Sequence, residues 1–218
     1  MTPSILLMGC GIALAVFGVV FVRVAKRRIQ ALVESFGFAY TVLGLTLLMI
    51  GGASAFGNQT AIETSLVIGY AAILLATVFV LRVAFFDRKA YSAVAMLIGI
   101  VGGVLLWVWA VMQFPPHPTL IDGSLRFELA APVLTSLAVV FLGAWVPAGL
   151  RVARVVAAQV GSLRWLVYAS YAVVPVAVLA MFSSAATWPP LAVMLAAGLA
   201  MIATALRVKL PEQNEAPA

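Results

Sequence analysis

Apolar residues run along this chain in long stretches separated by short polar clusters. A helix of about 20 mostly apolar residues crosses the roughly 30 Å hydrocarbon layer of a bilayer. Read with that window, the pattern predicts seven spans, near residues 4–25, 36–56, 62–85, 91–113, 128–150, 164–184 and 188–208. The predicted fold class is all-α: a polytopic integral membrane bundle of seven transmembrane helices. It forms one domain over residues 1–208, followed by a short polar tail over 209–218. The connections leave no room for a further domain. The longest, QFPPHPTLIDGSLRFE, separates the fourth and fifth spans, and its prolines predict a polyproline-like cap.

Composition agrees with that reading. The chain is 65% hydrophobic and 9% charged, whereas about a quarter of an ordinary soluble domain is charged. So little charge could not cover a surface in water.

The distribution of charge sets an orientation. Arg23, Lys26, Arg27 and Arg28 follow the first span, and Arg82, Arg88 and Lys89 follow the third. Arg151, Arg154 and Arg164 follow the fifth, and Arg207 and Lys209 the seventh. Of the 13 basic residues only Arg126 falls on the other side. Basic loops stay in the cytoplasm, so the N-terminus is expected outside and the C-terminus inside. The expected location is a bacterial or archaeal plasma membrane. A net charge of +6 would suggest nucleic acid in a soluble protein. Here it forms a collar for anionic lipid headgroups at the cytoplasmic face, and no nucleic-acid partner is expected.

The collar also explains a repeated word. VRVAKR, LRVAFF, LRVARV and LRVKLP close the first, third, fifth and seventh spans. An arginine there snorkels into the headgroup layer and complements a helix C-terminus. The word marks topology, not a repeated binding element.

Charged residues at mid-membrane usually mark ion paths or proton relays. None of the seven acidic residues falls at the centre of a span, which argues against a carboxylate-coupled transporter or pump. Milder polar residues recur on single faces: Glu63, Tyr70 and Thr77 in the third span, and Arg164, Tyr168, Tyr171 and Pro175 in the sixth. Glu128, Pro132, Thr135, Gly143 and Pro147 line the fifth, whose prolines predict a bend. Such stripes turn toward a bundle interior, because hydroxyls facing lipid lack partners. Two readings follow. One is an outward-opening ligand pocket formed by Glu63, Tyr70, Thr77, Glu128, Thr135, Tyr168 and Tyr171. The other is helix packing held by hydrogen bonds worth about 0.6 kcal/mol each.

Small residues repeat as well: Gly37, Gly44 and Gly51 in the second span, Gly99 and Gly103 in the fourth, Ala196, Ala200 and Thr204 in the seventh. They allow close helix approach within the bundle or against a second copy or another membrane protein. Trp107, Trp109 and Trp188 are placed at the outer interface, Trp145 and Trp165 at the inner one. One cysteine, Cys10, and one histidine, His117, supply neither a metal cluster nor paired haem ligands, and no metal or cofactor is expected.

A retinal protein requires a lysine within its last span, and WPPLAVMLAAGLAMIATALRV has none. In span count and orientation alone, the layout resembles the seven-helix membrane input modules of some bacterial sensor kinases. Three classes of function remain. They are a lipid- or small-molecule-binding sensory module or complex subunit, an uncoupled facilitator for a neutral or apolar solute, and an intramembrane lipid or terpenoid enzyme using Glu63 and Glu128 as acid and base.

Overall fold

A computed structural model describes residues 3–25, 30–84, 89–115, 117–121, 124–183 and 187–207. The chain is almost entirely helical over these. Helices α1 (Pro3–Ala25), α2 (Gln30–Ala55), α3 (Gln59–Ala84) and α4 (Lys89–Gln113) follow one another. Each is roughly 35–39 Å long at 1.5 Å per residue, enough to cross a bilayer. A β-hairpin follows, β1 (His117–Ile121) and β2 (Ser124–Glu128). Next, α5 (Ala131–Val140) continues through a π-helical turn (Phe141–Trp145) into α6 (Val146–Val160). A 3-10 turn (Gly161–Leu163) leads into α7 (Arg164–Ser183), and α8 (Trp188–Leu206) completes the bundle. Six stretches are long and apolar enough to span a membrane; Ala131–Ser183 counts as one of them because its helices follow without a gap. Within it the chain turns back at Gly161, whose φ is +57°, and α7 packs against α6 and α5.

Two expectations are corrected here. The chain is almost entirely helical as expected, but the proline-rich connection is a β-hairpin and no polyproline cap. Its strands pair antiparallel, His117 opposite Glu128 and Ile121 opposite Ser124. Leu125 and Phe127 are buried while Arg126 between them is exposed, the two-residue alternation of a half-buried strand. Phe127 packs edge-on against Phe182 of α7, with ring centroids 5.0 Å apart. The Asp122–Gly123 dipeptide was the sequence signal for this hairpin. The second correction is to the fifth helical segment, which begins at Ala131 and runs on to Val160, instead of covering 128–150.

The tightest seam joins α1 to α2. Ser4, Gly11 and Gly18 recur every seven residues on α1 and meet Gly51, Gly44 and Gly37 in reverse order on α2. A Cβ added at Gly11 would lie 2.7 Å from the Gly44 carbonyl oxygen, and one at Gly44 would lie 2.6 Å from the Gly11 carbonyl oxygen. Only residues without a side chain permit this approach, so the α2 glycines serve packing inside the bundle. Gly99 and Gly103 likewise turn toward Leu81 and Leu74 of α3. The α8 series splits, with Ala196 exposed and Thr204 buried.

Beyond that seam, Phe17, Phe21, Phe36, Tyr40, Trp145 and Tyr171 form a buried aromatic cluster from α1, α2, the π turn and α7. Trp145 is therefore a core residue and not part of an inner aromatic belt. Cys10 is buried too, its thiol donating to the Leu191 carbonyl at 3.1 Å.

The antiparallel order gathers Arg23, Arg82, Arg151, Arg154, Arg164 and Arg207 at one end of the bundle. Arg126, in the hairpin, lies at the other.

Candidate functional site: a cleft along helix α3

Helix α4 stands apart from the others. Only 6% of its span is buried, against 39–56% for the other five stretches. Among the described residues it packs on α3 and on no other helix to a comparable extent. A wedge therefore opens between α4 and the α5–π segment, floored by α3.

The inner part of the wedge is a cleft of about 350 Å³. Its floor is Leu74, Thr77 and Leu81 of α3. Gly99, Gly102 and Gly103 thin the α4 wall, and Val139, Val140, Gly143 and Ala144 form the opposite one. Toward the hairpin end it continues into a small cavity of about 20 Å³ bordered by Tyr70, Trp107, Ser136 and Leu137. Tyr70, Leu74, Thr77 and Leu81 follow at helical spacing, so one face of α3 floors the whole wedge.

Local chemistry keeps the cleft open. Pro147 has no N–H to donate, and its ring crowds the preceding turn. The helix accommodates this by widening just before it, the Val146 N–H reaching back five residues to the Phe141 carbonyl. π turns of this kind occur often at functional sites. This one turns Phe141 and Trp145 into the core and leaves Leu142 and Gly143 exposed. A Cβ placed at Gly102 or Gly143 would meet nothing within 4 Å. Those glycines leave space that no packing contact requires.

The polar groups around the cleft are few and mostly engaged. The Trp145 Nε1–H donates to Thr77 Oγ1 at 3.0 Å, and that hydroxyl donates to the Ile73 carbonyl at 2.8 Å. The Trp107 Nε1–H donates to the Val67 carbonyl at 3.1 Å, tying α4 to α3. Ser136 donates to the Pro132 carbonyl at 2.8 Å. The buried Tyr70 hydroxyl is the exception, with no hydrogen-bond partner among the described residues. The cleft thus offers hydrocarbon walls and a single uncommitted hydroxyl at one end.

The seven residues predicted to line an outward pocket are not brought together. Tyr70 and Thr77 border this cleft. Thr135 lies on an exposed face of α5, its hydroxyl donating to the Ala131 carbonyl at 2.8 Å. Tyr171 is buried in the aromatic cluster, stacked on Phe36 at 5.8 Å, and Tyr168 lies half-buried three residues earlier on α7. Glu63, half-buried near the start of α3, accepts a 2.9 Å hydrogen bond from Gln59, whose amide also donates to the Pro118 carbonyl at 2.6 Å. Glu128 ends β2, and its side chain lies outside the described residues. A shallower groove of about 640 Å³ does open beside the hairpin, edged by Gln113, His117, Phe127, Leu134, Phe182 and Ser183. Of the predicted seven, none whose side chain is described lines it.

Sequence reasoning passed over the α4 glycines as a cavity wall and Gly143 as an opening. The available signal was Pro147 four residues after Gly143, a helix breaker beside a residue with no side chain. No group of three or more histidine, cysteine or acidic residues that could hold a metal ion occurs among the described residues. Comparison with known protein families, curated proteins and solved structures gives no match.

Proposed function

We propose that this chain is a seven-pass membrane protein that holds the hydrocarbon part of a lipid or similar apolar molecule in the α3–α4–α5 cleft, acting as a sensory module or as a subunit of a membrane complex. The observation that carries this reading is the cleft itself. It is apolar, opens at mid-span beside a sparsely packed helix, and has a volume within the range of small-molecule sites. The hairpin turn at Gly161 supports counting Ala131–Ser183 as two passes. The charge asymmetry supports an outer N-terminus and a cytoplasmic C-terminus in a plasma membrane.

Native mass spectrometry of the protein gently extracted from its membrane tests this. The wild type should retain a stoichiometric apolar molecule, and Gly143→Leu, which fills the cleft without a backbone clash, should lose it. Equal retention by both proteins would sink the proposal.

A second reading draws on the low burial of α4: this helix docks on another membrane polypeptide or a second copy of the chain. A second polypeptide or a doubled mass in the same spectrum would favour it. The enzyme reading has less support, because Glu63 engages Gln59 near the hairpin and lines no part of the cleft. An uncoupled facilitator would move a neutral solute into liposomes, with flux stopped by Gly143→Leu.

A further inference from the structure

On the flank of α4 turned away from α5, a second groove of about 280 Å³ runs between α3 and α4. Ala71, Leu75 and Val78 form its α3 side, facing Ile100 and Val104. Those α3 positions are spaced by four and three residues and make one line along the helix. The next position on that line is Arg82. It is exposed, sits in the last turn of α3, and has no hydrogen-bond or ion-pair partner among the described residues.

An apolar groove in line with an exposed guanidinium that has no partner among the described residues complements the two parts of one molecule, an acyl chain and an anionic headgroup. The dimensions agree. From Arg82 to Ala71 is eleven residues, roughly 16 Å of helix, and one leaflet contributes about 15 Å of hydrocarbon. Arginine is also the side chain best suited to phosphate, because its planar fork donates two parallel hydrogen bonds. We infer that an anionic glycerophospholipid binds here, its phosphate on Arg82 and one acyl chain along Val78, Leu75 and Ala71. This rests on the chain crossing a bilayer. It does not depend on occupancy of the α3–α4–α5 cleft, which lies on the other flank of α4 and meets the groove only at Leu74, Gly99 and Gly103.

The test titrates delipidated full-length protein with phosphatidylglycerol or with phosphatidylcholine carrying the same chains, counting bound lipids by native mass spectrometry. The wild type should take its first phosphatidylglycerol about tenfold more readily than phosphatidylcholine, whose own trimethylammonium neutralises its phosphate and opposes the guanidinium. Arg82→Gln should abolish that preference, and Arg82→Lys should restore part of it. Ala71→Phe should weaken binding of both lipids while leaving the preference intact. Gly143→Leu, which blocks the other cleft, should remove any lipid held there and leave the phosphatidylglycerol preference intact. The inference is overturned if Arg82→Gln keeps the preference. It also fails if Arg207→Gln, at the end of α8, removes the preference equally, since the basic collar as a whole would then account for the attraction. Circular dichroism on each variant checks that the helices persist.

Discussion

At the scale of single residues, glycine does two opposite things in this protein. At Gly11 and Gly44 the absent side chain is replaced by the backbone of the neighbouring helix, so any Cβ collides with main chain. Gly44→Ala should destabilise the fold by about 1–3 kcal/mol, the usual cost of overpacking. Gly52→Ala, on the same helix with nothing within 4 Å, should be neutral or stabilise by up to about 1 kcal/mol through helix propensity. Reversible unfolding in mixed micelles measures both, and equal effects would show that the seam is not tight. The Trp145–Thr77 hydrogen bond joins the π turn to α3. A double-mutant cycle with Trp145→Phe and Thr77→Val should give a coupling of about 0.6 kcal/mol, typical of interhelical hydrogen bonds in membranes.

Among the elements, the π turn is the most informative. A π turn inserts one residue into an α-helix, so deleting Gly143 together with Pro147→Ala should restore the regular helix while keeping α5 and α6 on their original faces. The deletion variant should fold, retain its helical content by circular dichroism, and lose the molecule held in the cleft; unchanged retention would separate the π turn from binding. Helix positions were legible in the sequence because hydrophobic length sets them directly, and the starts and ends of α1 to α4 fall within a few residues of the apolar runs, α2 excepted. The α2 helix begins at Gln30 through polar residues, where hydropathy carries no signal. The β-hairpin was hidden for a related reason. Its prolines pointed to an extended cap, and the alternation of Leu125, Arg126 and Phe127 is too short to stand out beside a span.

For the whole molecule, hydropathy and charge together gave the class and an orientation, but not the site. Thr77 and Tyr70 were recognisable as a polar face of α3, yet what that face meets depends on which helices pack beside it. Periodicity says nothing about that choice, and so Thr135, Tyr168 and Tyr171 were grouped with them although α5 and α7 turn these residues elsewhere. The proposed orientation has its own test. In a Cys10→Ala background, single cysteines at Asn58 and Arg126 should react with a membrane-impermeant maleimide in intact cells, and one at Ser162 should react only after lysis. The reverse pattern would invert the topology.

The proposed function requires that a defined apolar molecule occupy the cleft between α3, α4 and α5. A diazirine-bearing amino acid placed at Val139, an exposed cleft residue, tests it against the same probe at Leu142, exposed but outside the lining. After illumination in the native membrane, the adducts are weighed by mass spectrometry. One dominant adduct is expected at Val139 and a mixture matching bulk lipid at Leu142. The same bulk mixture at both positions would contradict it.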